Sequence, residues 1–252
     1  MKSLIVAAFI IAFVGQIMVG ESFVEVDGGT MDIDLVSGID GREFQKTVDV
    51  ETFLLSRTEL TVVQWRQFTD ETGYAFPWED HYIGDIAVLS PDETCPIQLV
   101  RINEAVWYCN WRSRQDGLEP VYIRSGDRIV RNPDADGYRI PTTDEWDFAA
   151  RGGTSSKRTV YAGADDPEVV AWFGMNFEDG TRPVGGKAPN EIGLYDMTGN
   201  IREWTWPPDG IPLDCRGSRD LIPIRGGSWV TPLKHLGLEQ DDMAYAMSQS
   251  NI

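Results

Sequence analysis

Histidine is nearly missing from this chain: 252 residues carry two, His81 and His235. A site built from several imidazoles is excluded by count alone. Cysteine is scarce as well. Cys95, Cys109 and Cys215 include no Cys-x-x-Cys pair, so the spacing of a zinc site is not there. In an oxidising compartment one pair could close and leave one thiol, with three pairings open. Cations are outnumbered, 22 Lys and Arg against 40 Asp and Glu, for a formal net charge of -18. That balance excludes the basic surface needed to neutralise nucleic-acid phosphates and disfavours an anionic membrane surface; a well-solvated exterior is the plain reading. No run of like charges is long enough to mark a tail. No repeat, low-complexity linker or shift in composition divides the chain, so one domain is expected.

Long apolar runs are absent except at the start. "MKSLIVAAFIIAFVGQIMVGES" sets Lys2 ahead of an apolar stretch from Leu4 to Val14, followed by small residues. That is a secretory signal peptide in outline, and its apolar part is short for a membrane span. No cysteine follows it, so a lipid-anchored lipoprotein is not expected. The reading is a signal peptide over 1–20, cut near Gly20 or Ser22, and a domain over 21–252 that is secreted or periplasmic. An uncleaved anchor helix is the alternative; stable membrane insertion is not expected.

What the chain does have is 25 Gly, 14 Pro and 9 Trp, which predict many turns, an aromatic core and little long helix. "VEVDGGTMDIDL" alternates as strands do and predicts a strand pair turning at Gly28-Gly29. "TVVQWRQFTDETGY" changes period: Thr61 caps, Val62, Trp65 and Phe68 share a helical face, and Gly73 ends the helix. "INEAVWYCNWRSRQDGL" predicts a second helix with Asn103 as cap, Trp107 and Trp111 one turn apart, and Cys109 as a small buried hydrophobe. "VYIRSGDRIV" reads as a hairpin around Ser125-Gly126-Asp127. In "TTDEWDFAARGG", Thr142 and Glu145 form a capping box. Beyond it no helix longer than a couple of turns is expected.

The ordered blocks "VETFLLSRTELTVVQWRQFTDETGY", "AVWYCNW", "GYRIPTTDEWDFAARGG", "NEIGLYDMTGNIREWTW" and "IRGGSW" resemble the formylglycine-generating enzyme, or sulfatase-modifying factor, family, over roughly Val24 to Trp229. The resemblance implies an α+β fold related to C-type lectins, with short strands, two or three helices and much irregular backbone. It also implies calcium: in "LYDMTGNIREW" a site would map to the side chains of Asp196 and Glu203 and the carbonyls of Gly199 and Ile201. Calcium takes several oxygen ligands, and a glycine-containing turn can aim carbonyls between two carboxylates. Alternatively Gly199-Asn200 is only a turn and Trp204 a core residue. The family's other calcium site has no clean counterpart in "MNFEDGTRPV".

The family's enzymes convert a sulfatase cysteine to formylglycine with oxygen and copper held by two cysteines. The matching positions lie near Leu236 and Asp241, and Pro232 to Ile252 holds no sulfur except Met243 and Met247. A soft cuprous ion favours thiolates, so copper is not expected, and Cys215 lies in a variable loop without a partner. The family also closes with a further strand, and "QSNI" falls where it should begin. The domain therefore reads as lacking its last strand, with a loose, strandless ending. The expected function is a non-catalytic module that binds a protein or a small molecule, with Trp204, Trp206 and Trp229 as candidates for an aromatic groove. The alternative is an active formylglycine-generating oxidase. A hydrolase using Ser228 with His81 or His235 lacks a placed base or oxyanion hole. Asp144 and Glu145 read as first-turn acids that offset a helix dipole, not as a catalytic pair.

Overall fold

The two capping boxes govern where the chain turns inward. Thr61 Oγ1 accepts from the Gln64 N–H while Gln64 Oε1 accepts from the Thr61 N–H at 2.9 Å, and Thr142 and Glu145 repeat the exchange. Each satisfies donors that a helix start otherwise leaves bare. The helix from Thr61 ends at Gly73, which is left-handed with φ 66°.

The structure is a computed structural model that describes residues 23–74, 86–126, 128–175, 179–207, 213–214 and 221–245. In chain order its elements are β1 (Phe23–Val26), β2 (Gly29–Ser37), β3 (Glu43–Val50), β4 (Phe53–Ser56), α1 (Val62–Thr72), α2 (Ile86–Leu89), α3 (Ile102–Gln115), β5 (Tyr122–Ser125), β6 (Arg128–Arg131), α4 (Thr143–Ala150), α5 (Pro167–Val170), β7 (Glu203–Trp204), β8 (Leu213–Asp214), β9 (Leu221–Arg225) and β10 (Gln240–Tyr245). This is the expected α+β architecture of short strands and few helices.

Three sheets result: β1 with β4, a five-stranded sheet in the order β3-β2-β10-β9-β7, and β5-β6-β8. The hairpin expected around Ser125-Gly126 is β5–β6, closed by the pair Ser125 and Arg128. The strand pair expected to turn at Gly28-Gly29 is not formed. β1 instead pairs β4 and β2 pairs β3, because the chain crosses between sheets at the glycines. The cap of α3 is Arg101, not Asn103, with the Glu104 carboxylate accepting from the Arg101 N–H at 2.7 Å.

The strandless ending is corrected as far as Tyr245, while "QSNI", where a further strand is expected, lies outside the described residues. β10 runs antiparallel to β9, with Asp242 opposite Ile224, and parallel to β2, with Asp241 opposite Ser37. It lies inside the sheet, so it is not an edge. Its acids are accommodated by cations: Arg225 Nη2 donates to Asp241 Oδ1 at 2.7 Å while Arg225 Nε donates to the fully buried Asp147 at 2.9 Å. A buried guanidinium holds such carboxylates only while all partners stay hydrogen-bonded.

Two large cores flank this sheet. One gathers Trp65, Tyr108 and Trp206 with α1 and α3; the other gathers Leu35, Phe53 and Trp146 around α4. Trp65 stacks on Tyr108 at 5.5 Å, and Cys109 is buried beside it as expected. Among the described residues no helix is long and apolar enough to cross a membrane. Deleting the chain from Gln240 onward would strip β2 and β9 of their shared partner. Thermal unfolding of that variant should lose its cooperative transition, and retention of a native-like melt would remove β10 from the structural core.

Candidate functional site

The loop between Leu194 and Trp204 is built from backbone that few residues tolerate. Asp196 and Asn200 both hold φ 56° and Gly199 holds φ 84°, all left-handed. Asp and Asn enter that region more readily than other side chains, and clusters of such residues mark sites where strain is held in place by the surroundings. The clamp is visible. The Gly199 N–H donates to the Gly226 carbonyl at 2.7 Å, the Asn200 N–H to the Trp172 carbonyl at 2.9 Å, and the Trp229 N–H to the Asn200 carbonyl at 2.9 Å. Gly199 therefore lies between two chain segments with no room for a side chain.

This winding turns acids inward. Asp196 and Glu203 are 2% and 3% exposed, and Glu59, from the turn between β4 and α1, is 2% exposed. Glu59 was not singled out in the sequence, yet it organises the loop: its carboxylate accepts from Asn200 Nδ2 at 2.7 Å and from the Ile201 N–H at 3.1 Å. Asn200 Oδ1 in turn accepts from the Arg182 N–H at 3.0 Å. No periodicity links Glu59 to Asn200; only the fold does.

The electrostatics are unbalanced. Burial pushes Glu203 up to about 8, with the Asp196 charge adding to it and the Trp146 indole N–H, donating at 2.6 Å, opposing. Burial likewise raises Asp196 to about 6 against one backbone hydrogen bond, from Gly185 at 2.6 Å. Glu59 is raised well above its ordinary value by burial first, then by the charges of Asp196 and Glu203. Asp196 Oδ1 is buried with no hydrogen-bond partner. Carboxylates withdrawn from water and set near one another favour protonation, or a cation. Among the described residues no three His, Cys, Asp or Glu side chains form a metal cluster by themselves. An ion here would draw on Asp196, Glu203 and main-chain oxygens, with Glu59 aiming the loop from behind. The orphaned Asp196 oxygen fits that role. The other expected loop, "MNFEDGTRPV", lies partly outside the described residues.

The tryptophans are corrected. Trp204, Trp206 and Trp229 are 3%, 1% and 0% exposed, so they line no groove. Trp204 Nε1 donates to the Val100 carbonyl at 2.8 Å, Trp206 packs on Tyr122, and Trp229 packs with Leu89 and Leu99. Their apolar area is worth more in the core than at the surface.

Ser228, Asp144 and Glu145 are structural. Ser228 is fully buried and shares a hydrogen bond with Thr231 at 3.1 Å, while His235 is exposed. His81 and Cys215 lie outside the described residues. Glu145 pairs with Arg139 at 2.7 Å, and Asp144 pairs with Lys46. Replacing Gly199 with Ala would drive a methyl group into the Trp172 backbone at a positive φ. Chemical denaturation of Gly199→Ala should show a loss above about 1 kcal/mol; an unchanged midpoint would contradict the tight clamp.

The profile of the Sulfatase-modifying factor enzyme 1-like domain matches residues 16–251, a wider span than Val24 to Trp229. The chain is 29% identical over 251 residues to "Chaperone protein LppX" of Paenibacillus barcinonensis, covering 86% of this chain and 81% of that one. It is 28% identical over 243 residues to "Inactive C-alpha-formylglycine-generating enzyme 2" of Bos taurus, covering 83% and 76%. It is 27% identical over 208 residues to the formylglycine-generating enzyme of Thermomonospora curvata, covering 71% and 69%. The crystal structure of CarF superposes with a TM-score of 0.69 at 28% identity, covering 90% of this chain and 94% of that one. Treponema denticola variable protein 1 shares the fold at 24% identity, with a TM-score of 0.69 and 90% of each chain covered. The chain belongs to the sulfatase-modifying factor, or formylglycine-generating enzyme, family.

Proposed function

We propose that this chain is a secreted, non-catalytic binding module of its family. Its central loop is organised by calcium held through the side chains of Asp196 and Glu203 and the carbonyls of Gly199 and Ile201. The single observation that carries the non-catalytic reading is the fate of the segment after the glycine pair. From Ile224 to Ile252 there is no cysteine. Leu236 is a buried core residue packed with Tyr161, Val170 and Ala171, and Asp241 is an ion-pair partner of Arg225. Cys95 and Cys109 are buried elsewhere, Cys95 facing the Thr181 carbonyl and burial pushing both thiols up. A thiol held protonated is a poor copper ligand. Relatives named as an inactive enzyme and as a chaperone are compatible with such a role.

Calcium is supported by the orphaned, buried Asp196 oxygen and by the upward displacement of three neighbouring acids. A bound divalent ion would stabilise the ionised carboxylates that burial alone opposes. The chain supplies the rest: Asn200 and Glu59 fix the loop, and Trp146 orients Glu203.

Three measurements test this reading. Chelation should lower the melting temperature, and Asp196→Asn with Glu203→Gln should abolish the response to chelator; a melt indifferent to chelator removes the ion. The pH dependence has a definite sign. Glu203 moves from an ordinary 4.5 to about 8 and Asp196 from 3.8 to about 6, so across those windows the ion-free native state holds protons that the unfolded chain releases. Ion-free stability therefore falls as pH rises from about 5 to about 8. Added calcium should flatten that decline. For catalysis, a Cys-x-Pro-x-Arg peptide incubated with the protein, copper and oxygen should keep its mass; appearance of an aldehyde would restore the oxidase reading.

A further inference from the structure

The five-stranded sheet ends on one side at the two-residue β7 and on the other at β3, which runs eight residues and pairs along its whole length with β2 alone. The turn between β2 and β3 sets the phase of their ladder. The Ser37 N–H donates to the Arg42 carbonyl at 2.9 Å, so Leu35–Phe44, Ile33–Lys46 and Met31–Val48 are the bonded pairs. The intervening Val36 N–H points the other way, to the Glu239 carbonyl at 2.7 Å. By the same alternation the N–H and C=O groups of Glu43, Gln45, Thr47 and Asp49 face out of the sheet, and among the described residues no strand meets them. An open strand edge is a template for another extended chain.

The side chains along the edge select that chain. Glu43, Gln45, Thr47 and Asp49 share one face with Asp32 and Asp34 of β2. The acids on this face are exposed, and three of them meet neutral donors only: Thr47 on Asp32 at 2.7 Å, Gln45 on Asp34 at 2.9 Å and Thr30 on Asp49 at 2.8 Å. Nearby cations are engaged elsewhere, Arg42 by Asp40 and Lys46 by Asp144 on the opposite face. That opposite face carries Phe44, which is 40% exposed. Where the hairpin nears its turn, an open groove of about 400 Å³ is lined by Leu35, Val36, Glu43, Phe44 and Glu239, within the size range of sites that receive ligand groups. A second copy of β3 is a poor occupant, because it would set acids against acids.

We propose that the β3 edge docks an extended peptide segment of a partner protein, one that alternates basic with apolar residues. Its main chain pairs with the outward groups of Glu43 to Asp49, its basic side chains lie over the acid face, and an apolar side chain enters the groove against Phe44. The inference goes beyond the proposed function: this surface is separate from the loop of Asp196 and Glu203, so its test leaves the calcium and oxidase readings untouched.

Fluorescence anisotropy on the full chain tests it, with a labelled peptide of alternating Lys and Val. Three controls accompany the peptide: the same composition in separate Lys and Val blocks, an alternating Glu and Val peptide, and the parent N-methylated at every residue. The parent should bind at physiological salt, and each control should bind at least tenfold more weakly. Glu43→Lys with Asp49→Lys should weaken the parent at least tenfold with the melting transition retained. Amide hydrogen exchange should slow at Gln45 and Thr47 when the parent is bound. Block or N-methylated peptides that bind as tightly as the parent reduce the effect to charge attraction and overturn the proposal. Absence of binding overturns it too, as does exchange at Gln45 and Thr47 that saturating peptide leaves unchanged. Slowing of those amides on raising the protein concentration without peptide assigns the edge to a second copy, and the partner segment falls. Should the double variant fail to fold, the exchange measurement decides alone.

Discussion

Everything near the centre of this molecule answers to one constraint: acids set close together with almost no water around them. Glu59, Asp196 and Glu203 are each at most 3% exposed. Isolated carboxylates in such surroundings take up protons or recruit a cation. The loop geometry follows from it. Left-handed Asp196, Gly199 and Asn200 turn the chain so that Asp196 faces inward, and the Trp172 and Gly226 carbonyls hold it there. The five-stranded sheet serves the same centre, since β7 delivers Glu203 and pairs with β9, which leads into the glycine pair.

A second charge system keeps the rest of the sheet in register. Arg225 and Arg151 share Asp147, and Arg225 extends to Asp241 on β10. This pairing lets a polar strand, Gln240 to Tyr245, lie between two others. At the positions where the resemblance sets thiols, this chain carries a core leucine, Leu236, and an ion-paired aspartate, Asp241.

The sequence disclosed its local rules well. The capping pairs at Thr61 and Thr142, the apolar face of Val62, Trp65 and Phe68, and the stop at Gly73 all depend on neighbours within a few residues, and all are present. The family fold was legible too, because five blocks in order are hard to assemble by chance. What escaped depends on distance. Glu59 meets Asn200 across 141 positions, and no periodicity encodes that contact. β10 looked unlike a strand because its acids find their cations only in the folded sheet. The three tryptophans looked like groove residues because a large aromatic near a motif reads the same whether it faces out or in; packing sends them in.

The central claim is that the buried acids are arranged around a cation, and direct stoichiometry is the sharpest way to examine it. Chelator-stripped protein, titrated with calcium in a calorimeter at neutral pH, should take up one ion per chain with proton release. Titration without saturable uptake would mean that no cation completes the acids around Asp196 and Glu203, and the account would fail at its foundation.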